Sequence, residues 1–259
     1  MAERKKQNRP NRKPELRTFD KEAWKPKTEL GKKVKSGEIS DIKEILFSGK
    51  KILEAEIVDS LIPELEYDLL AIGQSKGKFG GGKRSIWKQT QKKTKEGNKP
   101  NFSTIAVVGN KNGYVGVGKG KAKETVPARE KAIRQAKLNI ISVSRGCGSW
   151  ECGCRTPHTI PFAVTGKSGS VVVNLMPAPK GVGLITEKQI SKILQFAGFK
   201  DVYSKARGHT ATKINLVYAC FNALKKLNDM KIRQDYIQKG GVVLGSLKDG
   251  KEKTSDSEN

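Results

Sequence analysis

The segment FSTIAVVGNKNGYVGVGKGKAKE, residues 102–124, contains two strand-like runs separated by a turn. Residues 102–108 and 114–117 are rich in β-branched and aromatic side chains, which favour strands. Between them, Asn112-Gly113 is a dipeptide that readily adopts the positive φ angles of a tight hairpin turn. The segment therefore predicts a β-hairpin.

The sequence on both sides of this hairpin completes one folding unit. Residues 65–71 alternate in hydropathy, which predicts a strand that ends near Gly73, and residues 56–61 predict a helix stopped by Pro63. Residues 125–141 predict a helix after the hairpin, because Pro127 is tolerated in a first helical turn. The face of this helix that we expect to be buried consists of Val126, Ile133, Ala136 and Ile140. Residues 55–143 thus predict a helix, a three-stranded sheet and a second helix.

The sequence after residue 144 predicts a second α+β domain, over residues 144–230. Residues 159–165 and 170–176 predict two strands joined by GKSG, and a short strand is expected near Val202. Thr186 and Gln189 have the spacing of a capping box, and Gly198 stands where a helix C-terminus favours glycine. The apolar stripes of the two predicted helices are Ile190, Ile193, Leu194 and Ala197, and Ile214, Val217, Phe221 and Leu224. The two domains are expected to meet near residue 145.

The charge of the chain is its most unusual property. Its 259 residues contain 51 Lys plus Arg and 26 Asp plus Glu, a net charge of +25. A charge of this size repels itself, which favours a protein whose partner is a polyanion, and nucleic acid is the leading candidate. No basic amphipathic helix, secretory segment or run of 18 apolar residues is present, so we expect a soluble cytoplasmic protein with no membrane partner.

Much of this charge lies in two segments. Residues 1–27 contain ten Lys or Arg and three prolines, which predicts a flexible basic arm, followed by a helical lead-in over residues 28–54 in which Asp41 and Glu44 have capping-box spacing. Residues 76–99 contain nine Lys or Arg and one acid, and we expect a long basic loop that contacts phosphate. An ordinary solvated loop is the alternative. Trp87 is expected to pin this loop to its own domain, whereas Phe79 fits either that role or stacking on a base.

The glycines of the hairpin also resemble a nucleotide-binding P-loop. Gly113, Gly118 and Lys119 have the G-x-x-x-x-G-K spacing, but the next residue is Gly120, which has no hydroxyl to hold Mg²⁺. Two other interpretations stay open. The glycines allow close packing of the backbone, or Lys119, Lys121 and Lys123 hold a polynucleotide phosphate at the helix N-terminus that follows them.

Three of the four cysteines stand close together beside a histidine. Cys147, Cys152, Cys154 and His158 form C-x4-C-x-C-x3-H, which suggests a closed structural zinc site. Unligated thiols and an iron–sulfur cluster are the alternatives, and the closed donor set disfavours a hydrolytic zinc enzyme. Cys220 is expected to be a buried thiol. His209 has no nearby acid, and a surface position or a contact with RNA beside Arg207 would both fit.

Five segments of the chain resemble the universal small-subunit ribosomal protein five family. They are GYVGVGKGKAKE with PAREKAIRQAKLNI after it, HTIPFAVTGKSGSVVVNLMPAPKGVGL, LQFAGFKDVYSKARGHTA and INLVYACFNAL. The likeness extends over residues 28–227. The segments TELGKKVKSGEI and RGCGSWECGC are similar to the archaeal and eukaryotic branch, and the cysteines to the archaeal kind. Other branches lack the cysteine loop, so family membership alone does not establish a metal.

The resemblance implies an α+β fold in which an N-terminal double-stranded-RNA-binding-like domain (α-β-β-β-α) precedes a C-terminal β3-α-β-α domain. It implies a non-enzymatic constituent of the small ribosomal subunit that binds 16S-type rRNA, lines the mRNA entry channel beside ribosomal proteins three and four, and supports decoding accuracy. The helix from Thr186 to Ala197 would lie near protein four. Residues 231–259 are expected to form a C-terminal extension whose last part is disordered.

The residues that we expect to contact RNA combine the basic loop, the lysines after the hairpin and one arginine. They are Lys76, Lys78, Phe79, Gly80, Gly81, Gly82, Lys83, Arg84, Lys88, Lys119, Lys121, Lys123 and Arg207. Two other classes of protein remain as alternatives: a double-stranded-RNA-binding protein outside the ribosome, and a P-loop enzyme.

Overall fold

The computed structural model describes residues 21, 23–75, 84–230 and 232–246. The helices are α1 Glu29–Ser36, α2 Ile42–Phe47, α3 Ala55–Leu61, α4 Thr125–Leu138, α5 Lys188–Ala197, α6 Lys213–Asp229 and α7 Gln234–Gly240. The strands are β1 Glu66–Leu70, β2 Lys88–Thr94, β3 Gly97–Gly109, β4 Tyr114–Ala122, β5 Ile140–Ser142, β6 Ser144–Arg145, β7 Val164–Ser168, β8 Val171–Pro177, β9 Leu184–Ile185, β10 Val202–Arg207 and β11 Val243–Leu244. None of the helices in these described ranges is long and apolar enough to cross a bilayer.

The first sheet is antiparallel and is built around the long strand β3. β4 pairs with one edge of β3 and β5 pairs with β4, while β1 and β2 pair with different lengths of the other edge of β3. The order α3, β1, β3, β4, α4 confirms the expected α-β-β-β-α domain. The prediction that residues 76–99 form one loop is wrong, because residues 88–94 pair with residues 97–103 as a hairpin extension of the sheet.

Helix α4 lies directly against a row of glycines on β4. A methyl group at Gly116, Gly118 or Gly120 would overlap the backbone of α4. The helix meets these glycines through Ala128, Ala132 and Ala136, which are fully buried, whereas Val126 is 54% exposed. Of the predicted face, Ala136 and Ile140 are buried and Ile133 is half-buried, whereas Val126 is wrong. The helix also ends at Leu138, and Ile140 belongs to β5. The contact with the glycines uses alanines because only a small side chain allows so close an approach.

The turn between β3 and β4 differs from the predicted one in its dihedral angles. Positive φ angles occur at Lys111 (57°) and Gly113 (98°), and not at Asn112. The Asn110 side chain accepts hydrogen bonds from the amides of Asn112 and Tyr114 (2.9 and 3.1 Å), which closes a four-residue turn.

The second sheet has the order β7-β8-β10-β9, with β10 parallel to β9 and antiparallel to β8. The element order β7, β8, β9, α5, β10, α6 confirms the expected β3-α-β-α domain. The first strand starts at Val164, later than predicted, because Thr159 instead bridges back to Gly146. Cys220 is fully buried on α6, as expected.

One apolar core joins the two sheets. Val115 and Val117 of the first sheet share a buried cluster with Ile190 and Ile193 of α5. The buried side chain of Gln189 accepts a hydrogen bond from the Ala71 amide (2.9 Å), so it bridges the two domains instead of completing a capping box. Glu187 is the residue that caps α5, through the amide of Gln189 (2.8 Å). The two predicted domains are thus tightly docked.

The N-terminal lead-in is anchored on one carboxylate. Glu54 accepts hydrogen bonds from the amides of Lys27 and Thr28 (2.8 and 2.6 Å) and from the Trp24 indole (3.2 Å). Burial opposes the charged form of Glu54, but these hydrogen bonds outweigh it and lower its pKa. The end of the predicted arm, from Trp24 on, is therefore held in place. The rest of the arm, residues 1–20 and 22, lies outside the described residues.

The C-terminal extension contacts both domains. β11 pairs with β6, the Cys147 amide donates to the Gly240 carbonyl (2.8 Å), and the Asn112 side chain donates to Ser246 (3.0 Å). Arg145, which is 2% exposed, donates to the Gly245 carbonyl (3.2 Å) and to Asn112 Oδ1 (2.7 Å). Residues 232–246 are thus held in place, and the predicted disordered end, 248–259, lies outside the described residues.

Candidate nucleic-acid interface and metal centre

A basic cavity of about 580 Å³ opens at the N-terminus of α4. Three exposed lysines line it: Lys121, Lys123 and Lys131. Glu124 at the N-cap makes no side-chain capping hydrogen bond, and the first turn of the helix contains no acid. The first amides and the dipole of α4 therefore add to the positive potential of the lysines.

The strand alternation explains how the lysines reach this surface. Gly116, Gly118 and Gly120 face α4, so Lys119 and Lys121 follow Val115 and Val117 on the opposite face of β4. The two valines are buried and the two lysines are exposed. The structure thus places Lys119, Lys121 and Lys123 in a row that leads to the start of α4. Sequence reasoning missed Lys131, which lies one helical turn beyond Pro127 on the cavity wall.

The packing against α4 also decides the question of the P-loop. A phosphate cradle needs free space over its glycine amides, but the space over Gly118 and Gly120 is filled by α4. The close-packing interpretation of these glycines is therefore confirmed, and the nucleotide interpretation is wrong.

The hairpin of β2 and the first half of β3 is a second basic feature. Lys88 and Lys92 are exposed on β2, and Lys92 stands directly opposite Lys99. Like charges in such a pair destabilise a hairpin unless an anion or an acid compensates them, and Lys99 pairs with Glu96 (2.7 Å). Arg84 is half-buried, and its guanidinium approaches the Gly73 carbonyl (3.4 Å).

The structure does not bring every predicted RNA contact together. Arg207 is exposed at the end of β10, on the second sheet, and His209 beside it is also exposed. Trp87 is half-buried next to Gly73, a position compatible with pinning the loop. The other predicted loop contacts lie outside the described residues. They are Lys76, Lys78, Phe79, Gly80, Gly81, Gly82 and Lys83.

The predicted metal ligands converge at the start of the second domain. One ligand atom from each of Cys147, Cys152, Cys154 and His158 lies within 4.8 Å of the others. The Cys147 and Cys154 sulfurs are 3.6 Å apart, and the Cys152 sulfur is 3.8 Å from His158 Nε2. This cluster of three thiols and one imidazole, which we call the metal loop (residues 147–158), could hold a metal ion.

A buried carboxylate orients the histidine of this cluster. His158 Nδ1 donates to Asp201 Oδ2 (2.8 Å), and both side chains are buried. The other Asp201 oxygen accepts from the amides of Gly181 and Gly183 (3.1 and 2.8 Å). With Nδ1 donating, Nε2 is left as the lone-pair donor that faces the sulfurs. Sequence spacing could not find Asp201, because it lies 43 residues from His158.

The thiols of the cluster have different acidities. Hydrogen bonds from the side chain and amide of Thr156 lower the pKa of Cys154 to about 6. Burial and the neighbouring cysteines raise the pKa of Cys147 to about 11. Of these two thiols, Cys154 therefore more readily supplies a thiolate to a metal ion.

A lysine-lined sheet and helix, docked on a second α+β unit, form the kind of surface that nucleic-acid-binding proteins present. Comparison with known proteins defines the family. The model of the ribosomal protein S5 N-terminal domain matches residues 86–144, and that of the ribosomal protein S5 C-terminal domain matches residues 166–238. The chain belongs to the ribosomal protein S5 family.

Archaeal relatives match almost the whole chain. Small ribosomal subunit protein uS5 of Nanoarchaeum equitans is 51% identical over 226 residues, which cover 87% of this chain and 97% of the relative. The protein of the same name from Methanocaldococcus jannaschii is 48% identical over 229 residues, with 88% and 99% covered. That of Picrophilus torridus is 51% identical over 226 residues, with 87% and 96% covered. The predicted resemblance to the archaeal branch is confirmed.

Proposed function

We propose that this chain is a non-enzymatic structural constituent of the small ribosomal subunit, acts in the cytoplasm as part of the ribosome, and binds small-subunit rRNA. Near full-length similarity to archaeal proteins named small ribosomal subunit protein uS5 supports this function. The observation that carries the binding mode is the cavity at α4, where three lysines surround a helix N-terminus. Such a site favours phosphate oxygens by charge and by free amides.

The lysine rows suggest how rRNA lies on the first domain. Lys119, Lys121 and Lys123 would each neutralise a phosphate and release counterions. The hairpin of β2 and β3, with Lys88 and Lys92 exposed, would continue this contact, as would the predicted loop residues from Lys76 to Arg84. Arg207 would form a separate contact from the second domain.

Two finer roles are part of the proposal. We expect the protein to lie beside ribosomal proteins three and four at the mRNA entry channel and to support decoding accuracy. The apolar face of α5 is buried between the sheets, so a contact with protein four at this helix would use its exposed polar side, which includes Lys188 and Gln195.

The metal loop is proposed to hold structural zinc. In a tetrahedral site with Zn–S bonds of about 2.3 Å, sulfurs lie about 3.8 Å apart. The Cys147–Cys154 separation of 3.6 Å is close to this edge length. The Asp201–His158 pair is the carboxylate–histidine arrangement that zinc sites commonly use. Zinc would tie residues 147–158 into one rigid loop, and the four protein donors leave no position for a catalytic water.

Sedimentation tests the main proposal. The tagged chain should travel with small ribosomal subunits through a sucrose gradient in high salt. A double-stranded-RNA-binding protein outside the ribosome shares the α-β-β-β-α domain but would remain at the top of the gradient. That outcome would contradict the proposed ribosomal function, but it would not contradict the proposed RNA-binding surface.

A further inference from the structure

A continuous apolar groove, separate from the lysine-lined surface, lies along the C-terminal extension. Two cavities of about 580 and 610 Å³ adjoin there and share Met230, Ile232 and Val242 as lining residues. Phe47 of α2 stands in one cavity and Trp150 of the metal loop in the other, and their side chains are 70% and 92% exposed. We call this feature the extension groove.

The chemistry of the extension groove differs from that of the α4 cavity. The larger of the two adjoining cavities has Trp150, Phe162 and Tyr236 on its walls, and its cation is Arg233. The other has Lys225, whose ammonium lies 5.0 Å from the Phe221 ring centroid, as its cation. The α4 cavity, equal in volume to the smaller one, has three lysines among seven lining residues. The extension groove offers few hydrogen-bond donors to the phosphates of a nucleic-acid backbone. Its lining therefore favours a binding partner with apolar side chains.

The residues outside the described ranges offer no segment suited to this groove. In residues 1–20, 76–83 and 247–259 the large apolar residues are Met1, Leu16, Phe19, Phe79 and Leu247, too few and too scattered to cover it. A second copy is disfavoured because each chain carries a net charge of +25. The occupant should therefore be a different protein.

We infer that the extension groove binds an apolar segment of another small-subunit protein that carries a carboxylate opposite Arg233. This inference rests on the proposed ribosomal function. Arg233 is exposed at the rim and has no ion pair within the described ranges, so it can meet an acidic side chain. Exposed tryptophan and tyrosine beside an arginine are the residue types that dominate protein–protein binding energy. Covering Trp150 and Phe47 would remove from water the two most exposed large apolar side chains among the described residues.

Photo-crosslinking inside the assembled subunit tests this inference. Chains that carry p-benzoyl-phenylalanine in place of Trp150, or in place of Leu244 in the neighbouring cavity, are incorporated into small subunits and irradiated. We expect both positions to join to one other protein, through a peptide that mass spectrometry shows to be apolar with a nearby Asp or Glu. The matched control carries the same group at Ile185, which is 54% exposed and lies outside the groove. It should give less than a tenth of that adduct.

Each other outcome overturns the inference. Adducts to rRNA would make the groove a nucleic-acid site, and adducts to another part of this chain would make it an internal contact. Equal yields from positions 150, 244 and 185, or none at all, would show an uncovered surface. If the chain sediments with small subunits and no adduct forms, only the groove inference fails. If it does not sediment with them, the proposed function fails as well.

Discussion

The two sheets of this molecule pack against their helices in the same way, but the surfaces next to the two sheets differ in chemistry. On the first sheet, α4 meets Gly116, Gly118 and Gly120 through three alanines. On the second sheet, α6 meets Gly166 of β7, where a methyl group would overlap the backbone of Ala219 and Ala223. The lysine-lined cavity lies at the start of α4, next to the first of these contacts. The second domain has the metal loop at its start instead. Close glycine–alanine packing thus fixes the helix, and the residues beyond its end decide what the domain binds.

The largest expected effect comes from filling the glycine row. Gly118→Ala should destabilise the protein by about 3 kcal/mol or more, because the added methyl must push α4 off the sheet. Urea unfolding measures this change. Gly166→Ala should have a similar cost, since α6 lies equally close to β7.

Gly240→Ala is the matched control for both substitutions. A methyl there has 3.4 Å to its nearest neighbour, the Val242 side chain, and the backbone angle is ordinary. Its effect should stay within about 0.5 kcal/mol. If all three variants were equally stable, glycine packing would not be what fixes the helices.

The next prediction concerns zinc affinity, which should depend on residues of the second domain only. Asp201→Asn should weaken zinc binding by about 10- to 100-fold, because an amide holds the His158 ring less well than a carboxylate does. Competition with a chromophoric chelator measures the affinity. Asp235→Asn, at an exposed acid of α7, should leave it unchanged. Purified protein that takes up no zinc would end the zinc proposal.

Substitution of the lysines around α4 should weaken the salt dependence of rRNA binding. Replacing Lys121, Lys123 and Lys131 by Gln should lower the slope of log K against log salt by about 0.7 to 0.9 for each phosphate that the protein no longer neutralises. Filter binding at several salt concentrations measures the slope. The corresponding triple substitution at Lys188, Lys200 and Lys205, exposed on the second domain, should lower it less. Equal slopes for the two variants would contradict the assignment of the interface to the first domain.

The last effect concerns the N-terminal lead-in, which lies outside both sheets. Glu54→Gln should cost about 1 to 3 kcal/mol at neutral pH, because it weakens the hydrogen bonds from Lys27, Thr28 and Trp24. The pKa of Glu54 is lowered by folding, so its stabilisation is present above the unfolded value of 4.5 and is lost as pH falls through the folded pKa. Thermal unfolding of both proteins against pH should show the difference shrinking in acid. Glu64→Gln, at an exposed acid, should show no such dependence.

The order of elements could be predicted from the sequence because hydropathy periods and turn residues are local signals. The hairpin, the helix after it and the αL glycine at Gly198 were all visible in this way. The buried face of α4 was not, since large side chains such as Val126 dominate the hydropathy pattern of this helix. The glycine row itself was the missing signal: it requires a partner helix with alanines every fourth residue, as at 128, 132 and 136.

The metal ligands could be predicted because their spacing is short, whereas their support could not. Asp201 comes from a loop after α5, and its distance to His158 depends on the second sheet. In the same way, Lys131 joins Lys121 and Lys123 only when α4 lies on β4. Chain position carries no information on such pairs until the tertiary fold is known.

The contact between the hairpin turn and the C-terminal extension has a consequence for the synthesis of the chain. Gly113 lies against the Gly245 carbonyl, and Arg145 also binds that carbonyl. The first sheet can fold while later residues are still being made, since domains fold in order from the N-terminus. Gly245 is made last among these partners. Arg145, which is buried, therefore gains its hydrogen bond to the Gly245 carbonyl only after residue 245 has been made. A chain truncated before residue 245 would retain the residues of both sheets but lack this contact between them and the extension.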